Sequence, residues 1–329
     1  MRKHFPIFFA FLLISVVSFS QVFDSKNPLA HTFSIVARDS ATGEMGVAVQ
    51  SHWFSVGTVV SWAEAGIGAV ATQSFVNKSF GIRGLDLLRR GLTAQQALDV
   101  LLSDDEGREV RQVAIVDIKG NIAVHTGKNC IQYASHIKGS QFSVQSNMML
   151  GDKVCESMAA AYAKNSNKPF AERLLAALDG AQKAGGDIRG KQSAAIIVVP
   201  AKSEGKPWDE RIVDLRVEDN TEPIKELNRL YLVHTAFQHM NNGDLAVEKN
   251  DMIKAMEEYK AAMKLMPDNL EMQYWTAITL ANNKEVDKAL PMLKKIFAKD
   301  KNWKELTKRL PQVKLLTVSD GDYKKIIAL

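Results

Sequence analysis

Thr32 follows His31 and opens the apolar run of "PLAHTFSIVARDSATGEMGVAVQS". A threonine there becomes a nucleophile if everything before it is removed, because its own freed α-amine then serves as general base. Such an amine has a pKa of about 8, suited to taking a hydroxyl proton near neutral pH. The chemistry would be attack on an amide or peptide carbonyl, and its condition is a break between His31 and Thr32. Without that break Thr32 reads as an ordinary β-branched strand residue.

Other chemistries find less support. There is no G-x-S-x-G, no H-E-x-x-H, no phosphate loop and no glycine-rich dinucleotide fingerprint, so no cofactor is expected. His234 and His239 are five apart and fall off one helix face. A metal-dependent hydrolase would need His52, His125 and His136 to converge, which spacing does not show; no metal is expected. Cys130 and Cys155 are the two cysteines, open to one disulfide or to separate burial.

The elements that must hold Thr32 are strands. "TFSIVAR", "MGVAVQS", "TVVSWAEAG" and "GAVATQSF" are rich in Val and Ile and broken at Asp39, Gly43, Gly57 and Gly66, which predicts antiparallel hairpins. The runs are apolar at successive positions and suit a sheet covered on both faces. Helices follow in "GIRGLDLLRRG" and "TAQQALDVLL", the latter with a capping box at Thr93 and Gln96. Strands return in "EVRQVAIVD", "IAVHTG" and "SQFSVQSN", helices over 152–163 and 169–183, and strands in "SAAIIVVP" and "RIVDLRVE". This order predicts an α+β fold, two sheets between helix layers.

The start, "MRKHFPIFFAFLLISVVSFSQ", has Arg2 and Lys3 before an apolar run and small residues at Ser18 and Ser20, as in a secretory signal peptide. The run is shorter than the ~20 residues that span a bilayer. Cleavage near Ser20 would leave a periplasmic or secreted protein beginning at Gln21, with no cysteine for a lipid and no membrane attachment. Loss of Arg2 and Lys3 lowers the formal charge from +5 to +3 (40 bases against 37 acids), which argues for no nucleic-acid partner.

Past "EDNTEP" the strand signal ends and the chain turns charged and helical. Gly243, Ala255, Tyr259, Ala262 and Pro267 have the spacing of a tetratricopeptide repeat; a shift of about 34 residues reaches Leu280, Ala289, Leu293 and Ile296, with Ala277 and Lys301 as departures. Met252, Met256, Met263 and Met266 read as core filler or a soft binding surface. The expected division is 1–20 signal peptide, 21–31 leading segment, 32–218 sandwich domain, 219–223 linker and 224–329 helical domain.

"TFSIVARDSATGEMGVAVQS", "WAEAGIGAVATQSFVNKSFGIRGLDLLRRG", "GREVRQVAIVD", "HTGKNC" and "AGGDIRGKQSAAIIVV" together resemble the domain of unknown function 1028 family, over about residues 31–217. That family is grouped with the N-terminal nucleophile hydrolases, so the resemblance implies a four-layer αββα sandwich followed here by the tetratricopeptide-like segment. It also implies Ser51 beside the nucleophile, Thr72 and Gln73 amides as oxyanion donors, Ser146 and Asn147 near the free amine, and Asp187 with Ser193 as an acid and serine pair. Such groups would orient the amine while backbone donors meet the oxyanion. Proteasome-like members keep a lysine on the strand after the first hairpin. "TVVSWAEAG" has only Glu64, whose charge would raise a nearby hydroxyl pKa, so Arg38, Lys78, Arg83 or Arg189 must stand in, or the site is of another kind.

Exposure of Thr32 would come from its own attack on the His31 carbonyl, or from a host protease; a signal cut after Ala30 would leave His31 first. The expectation is thus an exported amide hydrolase acting on a small amide or peptide, with residues 236–300 holding a protein or peptide partner and a homo-oligomer left open. The alternative is a non-catalytic binding protein that uses the same cleft and tail.

Overall fold

The computed structural model describes residues 29–329, so the expected signal peptide lies outside the described residues. Among the described residues, eleven strands form two antiparallel sheets. One runs Val213–Val217 (β11), Ser193–Val199 (β10), Met45–Ser51 (β3), Thr32–Arg38 (β2), Phe142–Ser146 (β9) and Ser135–Gly139 (β8) in spatial order. The other has Gly68–Phe75 (β5), Arg111–Asp117 (β6) and Ile122–Thr126 (β7), with Leu29–Ala30 (β1) and Ser61–Glu64 (β4) both pairing with β5.

Alternation sorts the side chains into layers. Val36, Val47, Val49 and Ala195 of the first sheet meet Ala69, Ala71, Ala114 and Val116 of the second, so the sheets face one another across small residues. The outer face of the second sheet, Val70, Val113 and Ile115, is covered by Phe80, Leu98 and Leu101 of helices Ser79–Arg89 (α1) and Ala94–Ser103 (α2). That of the first, Phe33, Ile35, Val144 and Ile196, is covered by Met158, Leu174 and Leu178 of Val154–Lys164 (α3) and Phe170–Lys183 (α4). Strands covered on both faces explain the unbroken apolar runs.

The mixed α/β class, the antiparallel strands and the helical C-terminal region agree with expectation, and the Thr93/Gln96 capping box forms. "TVVSWAEAG" departs from it: residues 56–58 make a short 3-10 turn and only Ser61–Glu64 is strand. A Cβ on Gly57 would sit 2.6 Å from that of Ala195, so this turn lies flat on β10 because it carries a glycine. Strands β1 and β8 have no counterpart in the sequence reading.

The helices after the sheets are Pro223–Glu248 (α5), Met252–Leu265 (α6), Leu270–Asn282 (α7), Val286–Lys299 (α8), Asn302–Arg309 (α9) and Asp320–Ile327 (α10). Ala255, Tyr259, Ala262, Ala289, Leu293 and Ile296 are buried, and the Tyr259 ring lies where a Cβ on Gly243 would meet it at 2.3 Å. Met256, Met263 and Met266 pack against this core, which makes them filler. Residues 219–222 connect β11 to α5, which starts at Pro223, and the Ile224 and Leu227 of α5 belong to the α3/α4 core. Cys130 and Cys155 are both free thiols, the second buried.

Candidate functional site

The three residues Thr32, Ser51 and Ser193 lie opposite one another across β2, β3 and β10, and Asn147 N donates to Thr32 O at 3.1 Å on the other side. Thr32 and Ser51 share the parity of Val36 and Val49, so both point into the layer between the sheets. Thr32 is 0% exposed and its Oγ1 donates to Ala30 O at 2.8 Å. The His31 carbonyl, next to Thr32, accepts from Ser51 Oγ at 2.5 Å and from the Arg189 guanidinium at 2.8 Å. Asp187, its side chain buried, holds that guanidinium through both carboxylate oxygens at 3.0 and 2.7 Å.

Around Thr32 is a buried network of amides. Gln73 Nε2 donates to Thr32 O (3.2 Å) and Gln112 Oε1 (2.7 Å), and Asn147 Nδ2 donates to Gln112 Oε1 (2.9 Å). Ser34 Oγ donates to Gln73 Oε1 (2.6 Å) and accepts from Gln145 Nε2 (2.6 Å), while Gln112 Nε2 reaches Thr126 Oγ1 and the Ser146 carbonyl. Leaving one such buried group without a partner costs about 1–3 kcal/mol, so the network fixes the strand ends relative to one another. Ser55, Ser74 and Met148, next to this end of the sandwich, have φ of 57°, 74° and 57°, a conformation that L-residues adopt at a cost of roughly 1–3 kcal/mol.

His31 is also buried, its Nδ1 2.7 Å from Asn147 Oδ1 and its ring edge-on to Phe75 at 5.6 Å. Burial holds its imidazole below the ordinary value; the Asn147 bond opposes this, Arg189 adds to it and Asp187 opposes it. His31 is therefore neutral at pH 7.

Among the sequence candidates, Ser51, Gln73 and Asn147 meet Thr32, Gln73 through its side chain and not through the main-chain amide expected of it, and Asp187 acts at one remove through Arg189. Three require correction. Thr72 has the parity of Val70 and faces α1; its N–H donates to Val60 O at 3.2 Å and so is not available to an oxyanion. Ser146, opposite Phe33, turns outward to Cys155 Sγ at 3.2 Å. Ser193 Oγ donates to the Trp53 carbonyl and accepts from Val56 N at 3.0 Å, clasping a loop and not Thr32.

Arg189 alone of the four proposed cations reaches the site. Arg38 sits at the far end of β2 on Gln141, Arg83 pairs with Asp104, and Lys78 is exposed at the start of α1. Glu64 is held by Arg89 and lies at the far end of β4. The three histidines do not converge: His125 bonds the Arg108 carbonyl, His136 bonds Thr126, and His52 lies against Gly190. Among the described residues no three His, Cys, Asp or Glu are placed to hold a metal.

Ser34, Gln112 and Gln145 escaped the sequence reading. Each is a polar residue at an inward position of a strand rich in apolar residues, and that parity was the available signal. A cleft of about 500 Å³ lined by Trp62, Leu85, Arg211 and Arg216 lies along β4 and β10, and Thr32 is not part of its lining.

Residues 32–227, more than half of the chain, match the model of a family of unknown function, DUF1028. The chain belongs to the DUF1028 family. It is similar to the crystal structure of protein SPO2555 from Silicibacter pomeroyi, carrying the same family model, at 32% identity and a TM-score of 0.56, over 61% of this chain and 85% of that one. No curated protein matches. The family segment thus opens on Thr32 and closes on Leu227, one residue in the polar network and one in the α3/α4 core.

Proposed function

We propose that this DUF1028 protein is the precursor of an exported N-terminal nucleophile hydrolase that cleaves an amide bond with Thr32. The observation that carries the reading is the His31 carbonyl: buried, adjacent to the Thr32 hydroxyl, and hydrogen-bonded by Ser51 and Arg189. Two donors, one of them cationic, stabilise the oxyanion formed when the hydroxyl adds to that carbonyl. The hydroxyl proton passes to the Thr32 nitrogen as the C–N bond breaks, giving an ester that water hydrolyses to the His31 carboxylate and free Thr32. The new α-amine lies beside the Arg189 charge, which lowers its pKa and favours the unprotonated base.

Helix pairs on the outer faces of two antiparallel sheets support the same reading, as does a matched family segment that opens on Thr32. The segment 1–20 is taken as the signal peptide, and the helical part, with its tetratricopeptide-like spacing, as a surface for a protein or peptide partner.

Intact mass and amino-terminal sequencing of protein made in an exporting host test the proposal. The expected mature chain begins at Thr32; Thr32→Ala stops at the precursor, and Ser51→Ala or Arg189→Gln slows maturation by about 10²–10³-fold. A wild-type chain that keeps His31, or a Thr32→Ala chain cut at the same bond, would overturn it and leave a binding protein.

A further inference from the structure

We propose that residues 29–31 occupy the place of the substrate's acyl side, so that the mature enzyme takes an extended peptide, with a hydrogen-bond-donating planar side chain next to the cleaved bond. This rests on the Thr32 reading above and deepens it by naming the substrate class.

The main-chain part comes from the edge of β5. Strand β4 covers that edge from Gly68 to Ala71, and Val60 O takes the Thr72 amide. From there β1 takes over, with Leu29 opposite Phe75 and Ala30 opposite Ser74. Cleavage and release of β1 uncover this stretch of strand edge beside the freed Thr32. An uncovered edge presents backbone donors and acceptors that an extended peptide satisfies by adding a strand. A small amide lacking a peptide backbone would leave them unused.

The side-chain part comes from His31. Asn147 Nδ2 is committed to Gln112 Oε1 and the Thr32 carbonyl, so Oδ1 faces the imidazole as an acceptor and calls for a proton on His31 Nδ1. Phe75 lines the same space with an edge-on ring. His31 Nε2 is buried and has no hydrogen-bond partner, so this subsite answers one side-chain donor, with the Arg189–Asp187 pair close by. A carboxylate there would set acceptor against acceptor; histidine, glutamine or asparagine supplies the donor.

In each turnover the Thr32 hydroxyl oxygen bonds to the acyl carbon and its proton passes to the α-amine. The C–N bond breaks as that proton moves to the departing nitrogen, and water then cleaves the ester to a peptide carboxylate and regenerated Thr32.

The test uses mature chain whose amino terminus has first been sequenced, with acetyl-Leu-Ala-X-aminomethylcoumarin substrates, X being His, Gln, Glu or Leu. His and Gln should exceed Glu and Leu in kcat/KM by at least about tenfold, since a site built for a donor rejects an isostere without it. Acetyl-Leu-Ala-His should inhibit as a product, and N-methylation of its leucine and alanine nitrogens should weaken it by about tenfold or more. A chain that begins at Thr32 but cleaves Gln and Glu substrates equally, or ignores the N-methyl groups, overturns this proposal alone. A chain that keeps His31 overturns both.

Discussion

A neutral imidazole is enclosed at the junction where the chain is expected to break. His31 faces Asn147 and Phe75, with Arg189 and Asp187 near it, and burial is the chief reason that its pKa falls below the ordinary 6.5. In the uncleaved Thr32→Ala chain the unfolded state takes up a proton below about pH 6.5 that the folded state refuses, so stability falls as the pH drops through that window. Above it the imidazole is neutral in both states and contributes nothing to the slope. His136 and His234 are lowered by burial too and add slopes of the same sign. Asp39 and Asp105, both lowered, lose their contribution only at more acid pH. Denaturant unfolding between pH 7.5 and 5.5 should therefore show a shallower loss in Thr32→Ala/His31→Gln than in Thr32→Ala, by up to about 1.4 kcal/mol per pH unit. Equal slopes would mean that His31 is not held neutral. The sequence made Thr32 legible because a single position and its type define the candidate chemistry. Gln112 and Gln145 are also polar positions in apolar strands, but their meeting point is set by pairing across two sheets, which spacing along one chain does not encode.

Strand parity decides which of the carried-over residues belong together. Gln73 shares the parity of Ala69 and Ala71 and faces the other sheet, while Thr72 faces α1; Asn147 follows Gln145 inward, while Ser146 faces Cys155. The resemblance took both members of each pair, and for the side chains alternation admits one. The strands themselves were legible for the opposite reason: a run apolar at successive positions needs no partner to be recognised. The short β1 was not, because two residues have no period and its existence depends on the vacant edge of β5. At the other end of the β2–β3 hairpin, Arg173 Nη1 meets Asp39 Oδ1 at 2.8 Å with its guanidinium 4.5 Å from the centre of the Tyr162 ring. Burial works against the Asp39 charge, yet Thr42 and Arg173 outweigh it and keep the carboxyl below its ordinary value. Arg173→Met leaves that buried carboxylate without its cation and should cost about 3 kcal/mol of stability. The maturation rate should stay as in wild type, since this pair sits at the hairpin end away from Thr32; a loss under about 0.5 kcal/mol would show that solvent already screens the pair.

At the scale of the whole molecule, α5 is the member that two cores share. Ile224 and Leu227 lie with Met158, Leu174 and Ile196 under the first sheet, whereas Ala236 and Met240 lie with Ala255 and Tyr259 in the helical part. The composition change near residue 220 was legible in the sequence, but a continuous helix crossing it was not, because the apolar residues of α5 change sides as its partner changes from sheet to helix. The helix gains from both ends, and melting either core removes support from the other through the same backbone hydrogen bonds. Leu227 is 0% exposed, so Leu227→Ala opens a cavity and should cost about 2–5 kcal/mol. Calorimetry supplies the decisive reading. With α5 as a shared spine, the wild-type chain unfolds in one transition and Leu227→Ala moves all of it to lower temperature. Two separate transitions, only the sandwich one displaced by Leu227→Ala, would show instead that the helical part folds on its own and that α5 is a passive connector.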